Sequence, residues 1–272
     1  MRPGSRFSLA LALLLASPLL AAQATRFRIT DLDLRDPHIW AIAIICTDLT
    51  DIPSAGVNAQ IQASIQGDAD GDGFLDASTL LEFLPLDQSA ATNLFDAGAA
   101  SCTVPAATTT CGTITLPLLA GDAPLSTSTT CAQPLPLTTR PYSPAIVNAT
   151  APCFASVTGT LTLNLGGTPV TLSDAQIAAT FDGNPAQGMV NGLMRGFLSE
   201  ADANATIIPA AVPLIGGRPL ASVLAGGTGA CPAFSDKDTG PGGVSGWYFY
   251  LNFPAQRLNE GPPVEIFADG FE

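Results

Sequence analysis

The stretch Trp247-Tyr248-Phe249-Tyr250-Leu251-Asn252-Phe253 decides the fold class. It sets Trp247, Phe249, Leu251 and Phe253 on one side and Tyr248 and Tyr250 on the other. That two-residue period belongs to a β-strand. Upstream, Met189 to Leu198 reads as another strand, with Gly192 and Gly196 permitting bends or close packing. Val157 to Leu165 puts Val157, Leu161, Leu163 and Leu165 on one face and threonines on the other. Gly166-Gly167 follows as a hairpin turn, then strands at Val170–Leu172 and Ile177–Phe181.

Nearer the N-terminus, residues 26–35 alternate, and Ile39 to Cys46 is a continuous apolar run that suits a buried strand. With Asp36-Pro37-His38 as a turn, the two runs are expected to form a hairpin. Val57 to Ile65 fits either period. Its alanine and glutamine content favours a short helix, with Ser54 as a candidate cap. Ser78 to Leu86 reads as a strand ending at Pro85. Residues 102–144 are rich in Thr, Pro, Ala and Ser, so short strands and long loops are expected there. The expected fold is therefore mainly all-β, an antiparallel β sandwich or jelly-roll-like domain, with one short helix before residue 68.

The first residues carry Arg2 and Arg6, then an uncharged Leu/Ala run from Phe7 to Ala22, then Ala22-Gln23-Ala24. This is the layout of a secretory signal peptide, helical in its apolar part and too short for a comfortable membrane span. The expected organisation is a signal peptide at 1–24, a single β-rich domain at 25–258 and a tail at 259–272. Loss of two arginines moves the net charge from -13 to -15, leaving 8 basic against 23 acidic residues. Nucleic acid needs a basic footprint, so it is not an expected partner. The mature chain is expected to be exported, without a transmembrane segment, and to attract cations. With 47% apolar and 12% charged residues, it can bury a sizeable core.

Six cysteines and a single histidine, with no CxxC pair, argue against zinc and for disulfides. Fifteen pairings of Cys46, Cys102, Cys111, Cys131, Cys153 and Cys231 exist. Neighbour spacing favours Cys102–Cys111 and Cys131–Cys153, and elimination then leaves Cys46–Cys231.

The densest cluster of potential ligands runs Asp68-Ala69-Asp70-Gly71-Asp72-Gly73-Phe74-Leu75-Asp76. Carboxylates on alternate residues converge if the chain curls tightly, and Gly73 permits the curl. Calcium requires such a set of six to eight oxygens. Residues 68–79 resemble the calcium loop of the EF-hand and dockerin families. By that resemblance Asp68, Asp70 and Asp72 bind through side chains, Phe74 through its carbonyl, and Asp76 directly or through water. Thr79 stands at the twelfth position, where those families place a bidentate Glu, so a single structural site fits better than a paired sensor. Glu82 lies three residues further on.

The tail Ile266-Phe267-Ala268-Asp269-Gly270-Phe271-Glu272 resembles IFxDGFE endings on secreted proteins of Gram-negative bacteria. Gly71–Asp76, Arg195-Gly196-Phe197 and Gly246–Phe253 are similar to segments of such proteins. The resemblance implies export and supplies no activity.

Other groups are weaker. Asp236 and Asp238 suggest a second cation site or a solvated loop. Asp31, Asp33 and Asp36 read as the polar side of a strand, and Glu200 and Asp202 as a conceivable acid–base pair. His38 is the sole imidazole, in a chain without GxSxG. Tyr248 and Tyr250 suit either core packing or stacking on a sugar. The leading expectation is a secreted, calcium-binding, disulfide-stabilised β domain that binds or scaffolds, not an enzyme. An extracellular hydrolase with paired carboxylates, and a carbohydrate-binding or adhesin-like module facing a cell-surface glycan, stay open as alternatives.

Overall fold

The computed structural model describes residues 24–259 apart from 43, 137, 139–142 and 166. The expected signal peptide and the IFADGFE tail lie outside the described residues. The chain opens with β1 (Thr25–Ile29) and β2 (Asp33–Asp36), then β3 (Trp40–Ile42), β4 (Cys46–Asp48) and α1 (Val57–Gln66). There follow β5 (Thr79–Phe83), β6 (Thr92–Ala99), β7 (Leu116–Ser126), β8 (Thr130–Ala132) and β9 (Ala149–Thr150). Then come β10 (Cys153–Ala155), β11 (Gly159–Leu165), β12 (Thr168–Asp182), β13 (Gly188–Ser199) and α2 (Glu200–Ala205). Last are β14 (Asp238–Thr239) and β15 (Ser245–Arg257).

The main sheet is antiparallel, as expected, but it closes on itself and does not form a clear sandwich or jelly roll. Its order is β1-β5-β6-β7-β10-β12-β13-β15, and β15 pairs back onto β1 through Phe27 with Arg257 and Ile29 with Ala255. The ring therefore closes as an eight-stranded barrel. β2, β11 and β14 attach outside that circuit. Closure removes the exposed sheet edges that a sandwich would have to protect.

The long strand works as read. Trp247, Phe249, Leu251 and Phe253 join the principal core, while Tyr248 and Tyr250 pack in a second layer with Phe197, Leu193 and Ala178. Cys131, Ala132, Leu135, Ile146 and Ala149 pack against that layer. Tyr250 accepts from the Leu135 amide at 3.0 Å, and Asn252 exchanges hydrogen bonds with the Val147 amide and carbonyl at 2.9 and 2.8 Å. The tyrosines are 6% and 0% exposed, so they form no platform for sugars. At the β13 bulge, Asn191 takes φ +49°, and a Cβ on Gly192 would lie 2.4 Å from the Phe253 carbonyl oxygen. Only glycine fits there.

Other expectations shift. Residues 26–35 and 39–46 do not pair with each other. β1 lies between β5 and β15, and β3 pairs with β4. The Ile39–Cys46 run is not a buried strand: Ile42, Ile44 and Ile45 are 56%, 96% and 72% exposed around a hairpin tip. The strands at 170–172 and 177–181 are one continuous strand, β12. The 57–65 segment is helical, burying Ile61 and Ile65, but Gly56 rather than Ser54 is its N-cap.

Three disulfides form: Cys46–Cys231, Cys102–Cys111 and Cys131–Cys153. These are the pairings that spacing and elimination favoured, and they fit an oxidising compartment. No helix among the described residues is long and apolar enough to cross a membrane.

Candidate metal centre

The aspartate loop hangs between the end of α1 and the start of β5. The buried Arg28 side chain donates to the Ile65 carbonyl at the end of α1 at 3.1 Å and to the Ala106 carbonyl of the neighbouring Cys102–Cys111 loop at 3.3 Å. The Asp76 amide closes the loop on the Gly67 carbonyl at 2.9 Å. Asp68 is the organiser. Its Oδ1 accepts from the Gly71 amide at 2.8 Å and the Asp72 amide at 3.1 Å, and its Oδ2 from the Gly73 amide at 2.9 Å. Those bonds require the left-handed φ of Gly71 (+76°) and Gly73 (+91°). Slight desolvation raises the Asp68 pKa, but the three amide donors outweigh it and hold the carboxyl below its ordinary range.

The loop is also stitched to the Cys102–Cys111 loop. Leu75 donates to the Cys102 carbonyl at 2.8 Å, and Val104 to the Gly73 carbonyl at 3.1 Å. Leu75 is buried with Leu80 and Cys102, as the apolar residue of such a loop should be. This bridge uses the carbonyl of Gly73 and the amide of Leu75, leaving the Phe74 carbonyl outside it.

Of the six ligand candidates, Asp68, Asp70 and Asp76 come together, with one oxygen of each within 4.8 Å of the others. Asp72 instead accepts from the Phe74 amide at 2.8 Å. Phe74 bridges Thr103, and Thr79 opens β5 opposite Ala99. Glu82 sits in the β5 ladder between Arg26 and Asp96, outside the converging group. Three hard oxygen donors on one loop suit a hard divalent cation.

No family model, curated protein or solved structure matches the chain.

A second acidic group joins Asp236 and Asp238, read in the sequence as a second cation site or a solvated loop, to Asp36, a pairing the sequence did not indicate. Asp36 and Asp236 are each only 3% exposed, and their carboxyls hydrogen-bond to each other. Asp238 lies nearby and accepts from the Tyr248 amide at 2.8 Å. Asp36 is therefore not on the polar side of a strand, and Asp236 is not in a solvated loop. Burial first, then the charges of Asp236 and Asp238, push the Asp36 pKa far above the carboxylate range. Burial raises Asp238 to about 6 against the opposing pull of the Tyr248 amide.

The native state holds these protons more tightly than the unfolded chain does. Stability contributed here is complete below pH ~4 and falls as pH rises through 6 and beyond. Asp36→Asn, neutral at every pH, should raise stability at pH 7 by about 2 kcal/mol and leave it nearly unchanged at pH 4. Thermal melts from pH 4 to 8 test this. An unaltered pH slope in the variant rejects it.

The remaining candidates are structural. Glu200 is paired to Lys237 at 2.5 Å, and Asp202 receives the Ser199 hydroxyl at 2.6 Å at the cap of α2. The two are thus committed to different partners. His38 is buried and bonds Asp48 through Nδ1 at the base of the β3–β4 hairpin. Burial raises Asp48, but bonds from His38 and Thr50 more than offset this and leave it below its ordinary value.

Proposed function

We propose that the chain is an exported, disulfide-stapled β-barrel domain whose 68–79 loop binds one calcium ion, and that it acts by binding or scaffolding. The observation that carries the reading is the convergence of Asp68, Asp70 and Asp76 on a loop already curled by backbone amides. Phe74 supplies its carbonyl and water completes the shell, while Asp72 shapes the turn by accepting from the Phe74 amide. The ion ties the end of α1, the start of β5 and the Cys102–Cys111 loop together. The missing twelfth-position carboxylate places affinity near the extracellular range, about 10⁻⁴–10⁻³ M. Secretion rests on the N-terminal pattern and the disulfides, and relation to the IFxDGFE-ending secreted proteins on the segments quoted above.

At 10 mM calcium such a site contributes about 1.4–2.7 kcal/mol of native-state stability. The melting temperature should then stand about 3–10 °C higher in calcium than in chelator. Asp68→Ala and Asp76→Ala should each abolish that difference, while Glu82→Gln keeps it. Equal melting temperatures for the parent chain in both buffers, with no heat on calcorimetric titration with calcium, would reject the reading.

A further inference from the structure

We propose that the apolar cavity between the barrel, α1 and residues 206–224 is a binding site for one small, uncharged, apolar molecule. It has a volume of about 410 Å³. That falls within the size range of small-molecule pockets, and well above the roughly 150 Å³ that holds a benzene ring.

The lining fixes the ligand chemistry. Leu34, Ile39, Leu49, Leu165, Val170 and Val223 are among the apolar residues that line it. The polar lining residues are Ser54, Gln60 and Thr168, and no charged side chain takes part. In a chain of net charge -13, that exclusion is a distinct property of the site. An ionised group carried inside would lose its hydration and find no counter-charge. A hydrocarbon body with at most one hydroxyl or amide group fits.

The rim gives an independent indication. Among the described residues, four non-glycine residues adopt positive φ, and two of them, Ser54 at +59° and Leu214 at +68°, line this cavity. A bulky leucine rarely takes the left-handed conformation, and such backbone concentrates around ligand sites. Leu214 is also 59% exposed, an apolar side chain held at the mouth instead of inside the core. The site is separate from the aspartate loop, so it does not depend on calcium binding.

The test is fluorescence titration of the full mature chain with N-phenyl-1-naphthylamine, an uncharged probe, followed by displacement with 1-decanol. Saturable binding of one probe per chain, reversed by decanol, is expected. Ala55→Trp and Leu214→Trp, which place an indole at exposed lining positions, should each weaken it at least tenfold without lowering the melting temperature. A double Ile44→Ser, Ile45→Ser variant removes the exposed apolar side chains at the β3–β4 tip and should leave binding intact. Absence of saturable binding overturns the proposal. So does binding that survives both tryptophans, or that disappears with the isoleucines. Sedimentation in parallel covers the remaining occupant: a dimer that Ala55→Trp dissociates, with no probe bound, would give the cavity to a second copy instead.

Discussion

Replacing Cys46 and Cys231 together by serine should lower the stability of the mature chain by about 5 kcal/mol. The bridge spans 185 residues, against 9 and 22 for the other two. In the chain-entropy view, the longest loop constrains the unfolded ensemble most. The native state should lose more than that loop constraint. Cys231 lies in the segment that leads to Phe234, whose ring meets Trp40 edge-on at 5.6 Å, and then to Asp236 and Asp238. The bridge therefore holds that segment against the β3–β4 hairpin and over Asp36. Urea denaturation under oxidising conditions measures the loss, and the slope of the transition should steepen as the unfolded chain expands. The fall of stability above pH 4 should also flatten, because Asp36 becomes easier to hydrate. A loss below about 1 kcal/mol would show that the hairpin and the 225–238 segment hold each other without the bridge.

Phe154→Ala should cost about 3–5 kcal/mol. Phe154 is fully buried, and its ring centroid lies 5.0 Å from Phe83, 5.2 Å from Phe95 and 5.7 Å from Phe181. These rings come from β5, β6, β10 and β12, so the cluster spans half of the closed ring. β10 has only three residues, with two ladder pairs to β7 and three to β12. So short a strand is held by its side chain more than by its hydrogen bonds. Phe154→Leu, which keeps most of the volume, should recover over half of the loss on equilibrium denaturation. An alanine variant within 1 kcal/mol of the parent would mean that the rings collapse into the space.

Where the sequence carried a period or a spacing, it was legible. The alternation at 247–253 assigned both faces of β15 correctly, because a strand between two apolar layers must alternate whatever its partners are. Close spacing located Cys102–Cys111 and Cys131–Cys153, because nearby thiols meet without organising the whole chain. The curl at 68–76 was legible for the same local reason: aspartate oxygens reach amides two to five residues away, and glycine permits the turn. The apolar run 39–46 misled, since continuous hydrophobicity has no phase. It cannot distinguish a buried strand from a hairpin whose tip projects Ile44 into solvent.

By itself, then, the sequence determined the strand-rich class, the two short bridges and the acidic loop, all consequences of interactions between near neighbours, and the 185-residue Cys46–Cys231 bridge followed from them only by elimination. Tertiary structure alone decided closure, the Asp36–Asp236 pair and the apolar cavity. Barrel closure joins Phe27 to Arg257, and the acid pair joins residues 200 positions apart. Register and burial between such distant segments follow from how all the layers pack at once, and no local pattern records that.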